Sequence, residues 1–122
     1  MDNKVFLNND SILEVCCVAD QTEASVAAMG DDMKRLIAQL QADGKPVLIL
    51  DDIAQLNKVP PLARKAVITL AKELPYDKLA MVGKSGGLLR LGANLLLQAI
   101  AKNGQGKYFD DRGQAIKWLL QD

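Results

Sequence analysis

Residues 47–50, Val-Leu-Ile-Leu, run without a polar interruption, and Asp51 and Asp52 follow at once. A strand wet on one face alternates, whereas one covered on both faces does not. The run therefore predicts a central strand enclosed by helices, and sites in open α/β sheets tend to lie at such carboxyl ends. Before it, Lys4–Leu7 predicts a short strand, Asn8-Asn9-Asp10-Ser11 a turn and residues 12–18 a second strand. Together these make an antiparallel hairpin that opens the domain.

Between the hairpin and the central strand the apolar period changes. Val26, Met29, Met33, Leu36, Ile37 and Leu40 recur at steps of three and four, one stripe of a helix. Thr22 is its N-cap with Glu23 in the first turn, and Gly44 and Pro46 stop it. After the central strand, residues 53–59 predict a loop. Pro60-Pro61 starts a helix over 60–74 whose inward stripe is Ala63, Ala66, Val67, Leu70 and Leu74. Arg64, Lys65, Ile68 and Lys72 lie toward its other side, so Ile68 is an apolar residue among cations. Residues 79–82 form another short strand, 88–102 a helix, Tyr108-Phe109 a last strand, and Asp110 or Asp111 caps a final helix carrying Trp118 as a core anchor. The helix over 88–102 confines Arg90, Asn94 and Gln98 to one line and leaves an apolar arc of roughly 200°, about twice what a surface helix needs. It is either buried deeply or covered from outside, with Leu89, Leu96 and Leu97 as contact residues in the second case.

The order β-β-α-β-α-β-α-β-α predicts an α/β fold, a mixed five-stranded sheet opened by an antiparallel hairpin, with about four helices, in one domain over 1–122. Lys plus Arg equals Asp plus Glu, 15 each, which removes the basic excess of a general nucleic-acid binder. The chain contains no histidine. That excludes Ser-His triads, imidazole acid/base chemistry and His-ligated metals. Cys16 and Cys17 are adjacent, so on a strand they point to opposite faces, and two thiols fall short of a zinc set. Reduced thiols suit the cytoplasm. No apolar run approaches the roughly 20 residues that span a bilayer, so no integral membrane segment is expected.

Gly83-Lys84-Ser85-Gly86-Gly87 reads two ways as a motif and fits neither. As G-x-S-x-G it resembles a nucleophile elbow, but no histidine can serve the serine. As Gly-Lys-Ser it resembles a phosphate loop, but the required upstream glycine is Lys78. What remains is a set of amides at a helix N-terminus beside Lys84 that can hold an anion, set against glycines that only turn a tight corner. Asp51 and Asp52 diverge as they leave the strand and read as structural, with Asp52 capping the following turn. Neither a metal, a cofactor nor a catalytic residue is assigned.

The hairpin start, Lys45-Pro46-Val47-Leu48-Ile49-Leu50-Asp51 after a long helix, Leu79-Ala80-Met81-Val82-Gly83, and the ending Tyr108-Phe109-Asp110-Asp111 with Ala115-Ile116-Lys117-Trp118-Leu119 carry a family resemblance. The chain resembles the STAS-like proteins, the sulfate-transporter and anti-sigma-factor-antagonist superfamily. More closely, it is similar to their stand-alone bacterial branch, grouped with CRAL-TRIO lipid-binding folds. The resemblance implies a non-enzymatic interaction module. In anti-sigma-factor antagonists a serine or threonine after the third strand is phosphorylated to switch partners. The matching region here, residues 51–57, has neither, so the switch does not carry over.

Two functions are therefore expected. One is a regulatory module that binds a protein partner or a second copy through Asp52, Ile53, Arg64, Lys65 and Ile68, with Leu89, Leu96 and Leu97 added. The other is a carrier or sensor of a small apolar or anionic ligand, admitted under the 88–102 helix and held by the amides of 83–87.

Overall fold

The computed structural model describes residues 2–84, 87–100 and 105–121; within 87–100 it describes side chains at 92–94, 96–98 and 100. Among these residues five strands form one sheet in the order β1-β2-β3-β4-β5, with four helices around it. The strands are β1 (Lys4–Leu7), β2 (Leu13–Ala19), β3 (Leu48–Leu56), β4 (Lys78–Val82) and β5 (Gly106–Phe109). The helices are α1 (Glu23–Ala42), α2 (Pro61–Glu73), α3 (Gly87–Ile100) and α4 (Arg112–Leu119). β1 and β2 pair antiparallel, and every later neighbour pairs parallel. The expected hairpin, mixed sheet and four helices are all present.

Local chemistry sets the ends of these elements. Asn8 Oδ1 accepts from the amides of Asp10 and Ile12, which shapes the turn, and Ser11 takes a positive φ of 60° there. Thr22 Oγ1 accepts from Ser25 N while Ser25 Oγ accepts from Thr22 N, a reciprocal cap on α1. Gly44, at φ 69°, ends α1 in a left-handed turn in which Lys45 N donates to Leu40 O and Gly44 N to Gln41 O. Asp111 Oδ1 accepts from Gly113 N and Gln114 N at the start of α4. At the far end of α4, Lys78 Nζ donates to the carbonyls of Trp118 and Gln121 and stands 5.3 Å from the Trp118 ring centroid. A cation is favourable at a helix C-terminus and over an indole face.

The period-two alternation of the strands divides the core. Leu13, Val15, Cys17, Ile49, Ile53, Leu79, Met81 and Tyr108 share a cluster with α1, α2 and α3. Ile12, Leu48, Leu50, Ala80 and Val82 meet Ala115 and Leu119 of α4 on the other face, with half-buried Trp118 beside Phe109. Residues 47–50 are all buried, as a strand enclosed on both faces requires.

One boundary differs from expectation. Residues 53–59 are not all loop, because β3 continues to Leu56. Between Cys16 and Val18 the β2–β3 register slips, so that Cys16 pairs with Asp52 and Val18 with Gln55. The extra residue is a bulge, and Asp52 Oδ1 accepts from Ala54 N within it. The slip puts Leu56 against the same cluster as Ile53. This breaks the alternation that would have marked a strand.

Candidate functional site

Asp51 and Asp52 leave the same strand toward opposite faces. Asp52 faces the α4 side and is tied into the bulge. Asp51 follows Ile49 in parity, and its carboxylate meets the thiol of Cys17, which donates to Oδ1 at 3.5 Å. Cys17 also stands 3.9 Å from the sulfur of Met29. Burial pushes the Cys17 thiol up, and the neighbouring Asp51 pushes it further, so it stays protonated as a donor. Burial also raises the Asp51 carboxyl from 3.8 to about 6, opposed by the thiol hydrogen bond and reinforced by the charge of Asp52. Among the described residues no cation pairs with Asp51.

This carboxylate lines a cavity of about 50 Å³ between α2 and the sheet. α2 packs beside α1 and α3, and its inward residues join the same core cluster as the strands. The floor is Val15, Ile49, Leu79 and Met81, the roof is the inward face of α2, and Met29, Met33 and Ile100 close the sides. Tyr76 joins the wall while its hydroxyl donates to Ile100 O at 2.9 Å, holding the last turn of α3 beside the cavity. The sequence pattern assigned these methionines to an ordinary core stripe. The available signal was parity, since residues 47, 49 and 51 share one face, which sends one acid inward.

A second feature is an open groove of about 580 Å³ between the outer faces of α1 and α2. Glu23, Asp31 and Lys34 come from α1, and Leu62, Lys65 and Thr69 from α2. Leu62 is 65% exposed, the largest exposure among the big apolar side chains described. The helices approach closely at Gly30, where an added Cβ would lie 2.8 Å from Leu70 Cδ1. Of the contact residues expected on α2, Lys65 alone lines this groove; Ala66 and Leu70, which also line it, read as core stripe in the sequence, and the α1 side was not anticipated.

The expected contact residues are scattered. Arg64 and Lys65 are exposed, and Arg64 also donates to Val59 O, bracing the loop before α2. Ile68 is half-buried and packs against the core, so Leu62 is the apolar residue that faces solvent beside the cations. Ile53 and Leu97 are buried and Leu96 is half-buried, so Ile53 and Leu97 are not free surface. The stripe Ala93, Leu97 and Ile100 is covered within the chain itself. Leu89 lies in α3, and its side chain is outside those described.

Of the glycine-rich segment, Ser85 and Gly86 lie outside the described residues, as does the Gly87 environment. Lys84 is exposed and its carbonyl accepts from Tyr108 Oη at 2.7 Å. Gly83 is wedged against that same hydroxyl and against Ile53, leaving no room for a Cβ. Its role here is close approach. Gly83→Ala is expected to break the Tyr108–Lys84 bond and cost about 1–2 kcal/mol, from one lost hydrogen bond and added strain. A urea melt of the two proteins checks this; equal midpoints would remove the packing role of Gly83.

Among the described residues no cluster of three Cys, Asp or Glu groups is placed to hold a metal, and no helix is long and apolar enough to cross a membrane. The profile of the family described as SpoIIAA-like matches residues 16–120. The chain belongs to the SpoIIAA-like family. A solved crystal structure of an uncharacterized protein from Shewanella loihica PV-4, described as having a SpoIIAA-like fold, superposes with a TM-score of 0.66. The two share 22% identity over 96% of this chain and 91% of that one, a likeness of fold. A search of curated proteins finds no match. In this SpoIIAA-like chain no hydroxyl residue occurs between Ser25 and Thr69, a stretch that includes the whole of β3 and the loop after it.

Proposed function

We propose that the chain is a non-enzymatic regulatory module that binds a protein partner in the α1–α2 groove. Membership of the SpoIIAA-like family supports an anti-sigma-factor-antagonist-like module. The observation that carries the choice of surface is the exposed Leu62 at the end of a groove rimmed by both signs of charge. An exposed apolar anchor inside a charged rim is how interface cores are commonly built. With no hydroxyl between residues 25 and 69, a partner switch at the site used by phosphorylated antagonists has no acceptor here.

A photo-crosslinking residue placed at position 62 tests this in cells of the source organism. A discrete adduct is expected from position 62, none from exposed position 39, and a loss of at least fivefold when Lys65→Glu is added. Equal adducts from both positions, or none from either, would reject the groove as the docking surface.

A second reading, a carrier of a small molecule, is favoured by the cavity under α2. Its chemistry departs from the anionic ligand expected from sequence, because the polar group that faces this cavity is the carboxylate of Asp51.

A further inference from the structure

Resting on the carrier reading, we propose that the cavity beneath α2 is a site for a small aliphatic amine, taken up as its ammonium ion against Asp51. Three independent features of the wall point the same way. The first is the acid itself. Asp51 lines a space whose other walls are apolar apart from Tyr76, and among the described residues its one side-chain hydrogen bond is from a weak thiol donor at 3.5 Å. Asp51 is half-buried, and among the described residues it lacks the cation that normally accompanies a carboxylate withdrawn from water. The folded protein already bears the cost of desolvating the acid, so an entering ammonium gains the contact against a preorganised partner.

The second feature is the aromatic wall. Tyr76 stands in the cavity lining with its hydroxyl fixed to Ile100 O, so the ring is held in place. Ammonium ions are attracted to the faces of such rings, whereas carboxylates are not. The third is the methionines. Met29, Met33 and Met81 all line this one space. Thioether side chains re-pack at low cost, which suits a cavity whose resting volume of about 50 Å³ is smaller than the ligand it admits. An engineered apolar cavity of about 150 Å³ holds benzene, so this site matches a chain of a few carbons.

Among the described residues, the polar groups on the Asp51 side of the sheet are Cys17 from β2 and Tyr76 ahead of β4, neither of them cationic, and the charge of Asp52 reaches Asp51 only from the opposite face. Fatty acids and other anions are therefore disfavoured. Neutral alcohols of equal length fill the same space with a weaker bond to the carboxylate. A hydrogen bond to a charged donor exceeds a neutral one by about a factor of ten in binding.

The full chain labelled with 13C-methyl methionine is titrated at pH 7.5 with propylammonium, 1-propanol and propanoate, following the methyl resonances of Met29, Met33 and Met81 by NMR. For so few non-hydrogen atoms a Kd between tens of micromolar and millimolar is expected, on the order set by ligand efficiency. Propylammonium is expected to shift all three methyls saturably with a Kd about tenfold below that of 1-propanol, and propanoate to bind more weakly than either. In Asp51→Asn the alcohol should still bind, which reports an intact cavity, while the ammonium loses its advantage. Equal affinity for ammonium and alcohol, or an ammonium preference that survives Asp51→Asn, overturns the amine assignment and leaves the carrier reading standing. If no probe moves any of the three methyls, both fall.

Discussion

Asp51→Asn is expected to stabilise the chain at pH 7.5 by about 2–3 kcal/mol. The half-buried carboxyl is raised from 3.8 to about 6 by desolvation beside the cavity, and each pKa unit corresponds to 1.36 kcal/mol. The sign follows from proton linkage. The folded state holds this proton more tightly than the unfolded state, so the favourable contribution is complete below pH 3.8 and is lost as pH rises through about 6. At neutral pH the wild type therefore keeps an ionised acid facing apolar walls. The Asn variant removes the charge and retains an acceptor for Cys17. Urea melts of both proteins between pH 4 and 8 check this. The two are expected to converge near pH 4 and to separate progressively up to pH 7. Curves that stay parallel across that range would show that Asp51 is solvated in the folded state. A carboxylate that weakens the fold at neutral pH is the kind of residue found at binding sites, where local stability and function conflict.

The second large effect is expected at Arg112. Its two guanidinium nitrogens donate to the two carboxylate oxygens of Glu14 at 2.6 and 2.7 Å, and Asn8 donates to the same carboxylate at 2.9 Å. Glu14 is only 6% exposed, whereas the Arg112 side chain is half exposed. Arg112→Ala leaves a buried carboxylate with the Asn8 amide alone. Removing one member of a buried pair commonly costs 3–5 kcal/mol. Solvent reaching Arg112 reduces this to about 2–3 kcal/mol. The Arg112 hydrogen bonds lower the Glu14 pKa, so this stabilisation is present above the ordinary carboxylate value and is lost as pH falls through the lowered one. Adding Glu14→Gln to Arg112→Ala should recover more than half of the loss, because the orphaned charge is gone. A double-mutant cycle in urea measures the coupling. A single-variant loss under 0.5 kcal/mol would mean that water replaces the guanidinium fully.

These two acids act in opposite directions along the pH axis. Asp51 favours the folded state in mild acid, and Glu14 opposes strong acid. They also divide the sheet, since Asp51 projects under α2 and Glu14 reaches the start of α4 on the other face. The bidentate pair joins residues 98 positions apart and anchors the opening hairpin to the last helix.

Much of the architecture was legible along the chain. The unbroken 47–50 run, the three-four stripe of α1, the proline start of α2 and the Asp111 cap each impose a local geometry through backbone sterics or a nearby hydrogen bond, so pattern and structure coincide there. The end of β3 was not legible, because a bulge at residues 53–54 breaks the alternation by which strands are recognised. Parity was the signal that Asp51 shares the inward face with Ile49, although in the sequence it reads as a structural strand-end acid. What lies above it was decided by tertiary packing, because the cavity walls are brought together from α1, α2, α3 and four strands or loops distant in sequence. Likewise the exposure of Leu62 and the burial of Leu97 depend on which neighbours arrive from distant segments. Helix period fixes which residues share a stripe, but the stripe's surroundings are set by other elements. Sequence determined the elements and the order of α and β; the gap, the acid that lines it and the Glu14–Arg112 clasp exist only through contacts made across the chain.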